Sequence, residues 1–153
     1  MGFARDITDK VSAREALEKA LAELQHERGF LKTLIGTIPD LIWLKDPQGV
    51  YLACNPSFER FFGATEAEIA GNTDYDFVSA ELADFFRAND LAASAVGHPR
   101  VNEEWVTFAS DGHRALVETT KTPMYDDQGR LIGVLGIAHD ITAARHAQTA
   151  LQE

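Results

Sequence analysis

Cysteine is almost absent from this sequence. Cys54 is the only one in 153 residues, so no internal disulfide can form and no cysteine cluster can hold a metal. That usage fits a reducing, cytoplasmic setting. Long apolar runs are missing as well: none approaches the roughly eighteen residues that a membrane-spanning helix needs, and no signal-peptide pattern opens the chain. Basic side chains are scarce, 14 against 24 acidic ones, for a formal charge of −10. A field of that sign repels phosphate backbones and anionic lipid, which argues against nucleic acid and direct membrane contact among the partners. Catalytic signatures are also lacking. There is no Gly-x-Ser-x-Gly elbow and no phosphate loop, and Asp74 and Asp76, though close in sequence, read as caps or turn residues. His26, His98, His113, His139 and His146 show no metal-ligand spacing. The expectation is a regulatory domain, not an enzyme.

Hydrophobic content of 45% and charged content of 25% are ordinary, enough for one domain with a core and a flanking helix. The most informative feature is a repeat. Gly2-Phe3-Ala4-Arg5-Asp6-Ile7-Thr8 returns as Gly136-Ile137-Ala138-His139-Asp140-Ile141-Thr142, an offset of 134 residues. Both copies read as a strand end running into a helix, so the chain resembles one period of an array. From Thr8 to about Ile38 the pattern is helical. Leu17, Leu21, Leu24, Arg28, Leu31, Ile35 and Ile38 fall at alternating four- and three-residue steps, the seam of a coiled coil. Arg28 and Gly29 weaken it midway.

Pro39 ends that helix. Two short apolar runs, 40–45 and 50–54, flank Asp46-Pro47-Gln48-Gly49 as a β-hairpin. Assigning Lys45 to solvent puts Leu41 and Trp43 outside with it and turns Ile42 and Leu44 inward. Helices follow at 56–62 and 65–70, a single turn at 74–78, and a longer helix at 79–96. Strands are expected at about 102–109, 113–123 and 130–140. That order predicts an α+β domain with helices on one face of a five-stranded sheet.

Ile38-Pro39-Asp40, the hairpin with Asp46 and Gly49, and Asn55-Pro-x-Phe58 resemble the opening of a PAS domain. Gly71-Asn-Thr-Asp-Tyr-Asp-Phe77 resembles its middle. Phe108-x-x-Asp-Gly112, Thr122-Pro-Met124, and Gly133-x-x-Gly136 through Asp140-Ile-Thr142 resemble its end. The resemblance covers residues 30–142 in the family's order. It implies the PAS (profilin-like) fold with strand order 2-1-5-4-3, and a sensing or relay role upstream of a diguanylate cyclase or histidine kinase. The implied organisation is residues 1–8 as the tail of a preceding PAS repeat, 9–38 as an amphipathic linker helix, 39–142 as the PAS domain and 143–153 as the start of an output helix.

PAS-like domains hold ligands between sheet and helices, and that implies a pocket lined by Ile42, Leu44, Phe58, Phe62, Tyr75, Phe77, Phe85, Trp105, Thr107 and Val134. Core filling is the competing reading of the same residues. Neither a haem nor a LOV-type flavin adduct is expected: the 79–96 helix lacks the histidine, and Cys54 ends a strand. No cofactor is predicted, although a small-molecule ligand would fit the pocket. A homodimer is expected through Leu17, Leu21, Leu24, Leu31, Ile35 and Trp43. Asp140, Ile141 and Thr142 are the expected signal-coupling hinge, with neighbouring PAS and output domains as partners. The alternative is a ligand-free dimerisation scaffold.

Overall fold

Residues with strong helical preference run almost unbroken from the start of the chain, and they form one helix, α1 (Gly2–Thr37). The computed structural model describes the backbone of residues 2–152 and the side chains of 6–152. Met1 and Glu153, the outermost residues of the expected end segments, lie outside that range. The helix passes through Gly29 without a break, because a cost of about 1 kcal/mol is small against the cooperative hydrogen bonding of a 36-residue helix. The first copy of the repeat, Gly2–Thr8, is helical, not a strand end. Helical bonds are local, whereas a strand end needs a ladder to pair with. The side chains of Leu17, Leu21, Leu24, Leu31 and Ile35 are exposed. Met1–Ile38 forms one compact unit and Pro39–Glu153 a second. No helix among the described residues is long and apolar enough to cross a membrane.

The second unit begins with the hairpin of β1 (Leu41–Lys45) and β2 (Tyr51–Cys54). Asp46 Oδ1 accepts from the backbone N–H groups of Gln48 and Val50 at 2.9 Å, and Gly49 takes the positive φ of 88° that the turn requires. Asn55 then does three things. Its Oδ1 accepts from Phe58 N at 3.1 Å, capping α2 (Pro56–Phe62), and from Ile42 N at 3.0 Å, while its Nδ2 donates to Asp40 O at 2.8 Å. One buried amide thus fixes α2 against β1. Thr65 caps α3 (Glu66–Ile69), a 3₁₀ turn spans Asp74–Asp76, and Ser79 caps α4 (Ala80–Val96).

β3 (Arg100–Thr107), β4 (Arg114–Tyr125) and β5 (Leu131–Asp140) complete an antiparallel sheet of order β2-β1-β5-β4-β3, as expected. α5 (Thr142–Gln152) leaves from the end of β5. The core is Leu41, Trp43, Tyr51, Phe58, Ile69, Ala115, Val117 and Ala138, on the sheet face covered by the helices. Side chains of this kind stabilise by roughly 1.5–3 kcal/mol each when fully buried.

Two strand faces are the reverse of the expected ones. On β1 the inward residues are Leu41, Trp43 and Lys45, while Ile42 and Leu44 are half-buried on the other face. On β3 the inward residues are Glu104 and Val106, while Trp105 and Thr107 are exposed. Assigning Lys45 to solvent on β1, and Trp105 and Thr107 to the pocket on β3, each shifts the parity by one, and a shift of one moves every side chain to the opposite face. Lys45 and Glu104 point inward because the interior holds partners for them.

Candidate functional site

Lys45 is 2% exposed and sits at the centre of a buried charge network. Its ammonium donates to Asp74 Oδ2 and, at 2.9 Å, to Asp90 Oδ2. Asp74 also accepts from the Tyr51 hydroxyl. Lys121, on β4, reaches the same site: its Nζ lies 2.8 Å from Asp90 Oδ1 and donates to Phe86 O at 3.2 Å. The Lys121–Asp90 contact is an ion pair without hydrogen-bond alignment, so Asp90 Oδ1 has no aligned donor. Two ammonium groups and two carboxylates, drawn from β1, β4, the 3₁₀ turn and α4, thus form a balanced cluster in the core. The anchor that α4 sends into the domain is polar. Its buried residues are Ala83, Asp90 and Ala93, while Leu82, Phe85 and Leu91 are exposed.

The electrostatics follow from burial. Desolvation pushes the Tyr51 hydroxyl far up, with the Asp74 charge adding to it. Desolvation also lowers Lys121, against the opposing pull of Asp90. Glu104, which accepts from Thr119 Oγ1 at 3.4 Å, is raised by burial despite Lys121. Cys54 is half-buried, and its thiol is pushed up to about 12 by burial and then by Glu66 and Glu59, so it stays protonated at neutral pH.

Beside the cluster lies a cavity of about 30 Å³, room for about two water molecules. Lys45, Lys121, Glu104, Thr119 and Tyr51 form its polar wall, and Trp43, Phe58, Phe61, Phe62 and Phe86 its aromatic one. Trp43 stacks on Phe58 with centroids 5.1 Å apart. Phe86 faces both ammonium groups, its centroid 6.0 Å from Lys45 Nζ and 5.7 Å from Lys121 Nζ.

Of the ten pocket residues named from sequence, Phe58 and Phe62 line this cavity. Phe77 packs on Phe62 with centroids 5.1 Å apart, and Val134 is buried without lining the cavity. Ile42 and Leu44 lie on the outer sheet face. Tyr75 is exposed and bonded to Asp84, and Phe85 is exposed on α4. Trp105 is exposed beside the Arg114 guanidinium, 5.1 Å from its ring centre, and Thr107 is exposed too. Trp43, expected at a dimer surface, is instead a core residue lying over Gly136. The sequence reading missed Lys45, Asp90, Glu104 and Lys121. The available signal was the pairing of strand lysines with acidic residues in the intervening helices.

At the end of the sheet, Asp140 Oδ1 accepts from Thr142 N at 2.9 Å and from its hydroxyl at 2.6 Å. Thr142 Oγ1 in turn accepts from Leu116 N at 2.8 Å, and Ile141 N donates to Leu116 O at 2.9 Å. Ile141 and Thr142 are therefore joined to one residue of β4, and Asp140 is joined to Thr142. Hydrogen bonds from Thr142 hold the Asp140 carboxyl below the usual range. Nearby, the His139 ring donates to Asp40 Oδ1 at 2.8 Å, which raises the imidazole. A cleft of about 200 Å³ opens here between Asp40, Arg60, His139 and Asp140.

Comparison with known proteins matches this architecture. A family model described as PAS fold covers residues 36–146. The methanogenesis regulatory histidine kinase FilI of Methanothrix harundinacea is 33% identical over 97% of this chain, which spans only 16% of FilI. A diguanylate cyclase of Vibrio cholerae is 28% identical over 66% of this chain and 32% of its own length. Among solved structures, Vibrio cholerae VqmA in a ligand–DNA complex superposes with TM-score 0.66 at 26% identity, over 72% of this chain and 50% of VqmA. That neighbour corrects the exclusion of nucleic acid drawn from net charge: a similar domain occurs in a DNA-bound protein. Net charge describes one domain's field, not the proteins in which such a domain serves. The strand order, the matched residues and these relatives agree, and the chain belongs to the PAS-fold family.

Proposed function

We propose that this chain is the sensing or relay module of a larger signalling protein whose output is a histidine kinase or diguanylate cyclase activity. One observation carries the reading. Val117 lines the cavity from one side of β4, and its neighbour Leu116 holds Ile141 and Thr142 through both backbone groups. Ala138 lines the same cavity two residues before Asp140. A change in cavity contents would displace β4 and β5 and so reorient α5, biasing a downstream enzyme between two states. Residues 9–38 would act as the input helix and 143–153 as the start of the output helix, in a cytoplasmic setting. The test replaces Asp140 with Ala in the full-length protein, with folding checked. Altered basal or stimulated output is expected, and unchanged output in both conditions would sink the assignment.

Dimerisation belongs to the same proposal. The exposed seam of Leu17, Leu21, Leu24, Leu31 and Ile35 has coiled-coil spacing and would bury against a second copy. Deleting residues 1–30 should give a monomer by light scattering, and a persistent dimer would move the interface elsewhere. The small size of the cavity favours a second reading, a ligand-free scaffold. Native mass spectrometry of protein purified without denaturation separates the two: a retained small molecule supports sensing, and an empty core supports the scaffold.

A further inference from the structure

Phe86 occupies an unusual place for a phenyl ring. It projects from α4 toward Lys45 and Lys121, its centroid within 6.0 Å of both ammonium nitrogens. It is flat, uncharged and half-buried. An ammonium has three N–H donors. Lys45 gives two of its own to Asp74 and Asp90, while Lys121 gives one to Phe86 O and faces Asp90 without alignment. By that count each lysine, both of which line the cavity, has an N–H without an acceptor. The neighbouring Phe86 ring, and for Lys45 also the Tyr51 ring at 4.9 Å, offer only π faces.

We propose that the cavity accepts a small, uncharged, planar molecule carrying a hydrogen-bond acceptor, which displaces the Phe86 ring and takes the spare N–H groups of Lys45 and Lys121. This rests on reading the cavity as the sensing site. Three observations set the class. Lys45, Lys121, Asp74 and Asp90 balance one another, and Glu104, the remaining carboxyl on the wall, is raised by burial toward its uncharged form. A charged ligand would therefore bring an unpartnered charge into the cavity, whereas a neutral one leaves the balance intact. The remaining wall is aromatic, with Trp43 stacked on Phe58, and suits a flat apolar body. The cavity of about 30 Å³ holds no ring with Phe86 in place, but withdrawal of Phe86 supplies the volume of one. Movement of α4 is feasible because its apolar side chains are mostly outside and its anchor is the Asp90 carboxylate.

The test uses four ring-sized probes: benzamide, benzoate, benzamidinium and toluene. Binding is read by thermal shift and by titration calorimetry on the full chain, for wild type, Phe86→Ala and Lys121→Met. Lys121→Met leaves Lys45 in contact with both carboxylates but one positive charge short, so its urea midpoint is measured alongside to confirm that it is folded. Benzamide is expected to bind at least tenfold more tightly than the other three, to gain affinity at least tenfold in Phe86→Ala and to lose it in Lys121→Met. Benzoate or benzamidinium binding as well as benzamide would overturn the charge argument. Toluene matching benzamide would overturn the role of the lysines. Failure of all four with folded Phe86→Ala would overturn the proposal outright. If native mass spectrometry still finds a retained molecule in that case, the sensing site survives and only the ligand class falls; an empty protein fails both.

Discussion

Lys45 holds two carboxylates, Lys121 one, and Asp90 bridges them. The cost of each substitution follows from what it leaves unpaired. Asp90→Ala removes the shared anion, leaving Lys121 without a carboxylate and Lys45 with Asp74 alone, so it should lose about 3–5 kcal/mol in urea unfolding. Lys121→Met should lose clearly less, because Lys45 still pairs with Asp90. Equal losses would refute the bridging role. Glu104 provides a pH test. Its folded value is raised by burial, so its favourable contribution is complete below the unfolded value of about 4.3 and is lost as pH rises through the folded value. Glu104→Gln is neutral throughout. It should match wild type near pH 4 and exceed its urea midpoint near pH 8, and a gap that does not widen with pH would contradict the burial argument. His139 is raised by its bond to Asp40, so the stability it adds is present below its unfolded value and disappears as pH rises through the folded one. In Asp40→Asn the imidazole titration, followed by NMR, should move down toward about 6.5.

At the scale of elements, the strands and helices were legible and their faces were not. Turn residues such as Asp46 and Gly49, caps such as Asn55 and Thr65, and the apolar runs between them locate the hairpin, α2 to α4 and the last three strands, because these signals act within a few residues of chain. The facing of β1 and β3 depends on what lies opposite. Asp74 and Asp90 are 29 and 45 residues from Lys45, and no period-two count contains them. The same applies to Trp43, which lies inward because Gly136 on β5 leaves room for its ring. A Cβ at Gly136 would come within 2.1 Å of Trp43 Cε2. Gly136→Ala should therefore cost several kcal/mol and change Trp43 fluorescence. A folded variant with unaltered emission would refute this packing. The helical state of most of α1 was legible as well, since helical preference is a local property. The helical state of Gly2–Thr8 was not, because its second copy forms a strand end at β5.

At the scale of the molecule, the chain is two units of different character. Residues 1–37 carry six acidic and six basic side chains, so the whole excess of −10 falls on the rest of the chain. If the units are independent, deletion of residues 1–30 should leave the thermal midpoint of the domain within a few degrees of the full chain once association is accounted for. A collapse of the midpoint would show that α1 supports the domain. The sequence by itself determined the element order, the antiparallel sheet and the family, because turn chemistry, capping and the order of short motifs are written in consecutive residues. Only the tertiary structure decided which side chains face the cavity, that Lys45, Glu104 and Lys121 are among them, and that Asp74 and Asp90 stand behind the two lysines. Burying Lys45, Lys121, Asp74 and Asp90 costs several kcal/mol per ion unless partners lie within bonding distance, and those partners are brought together by folding, not by neighbourhood in the chain.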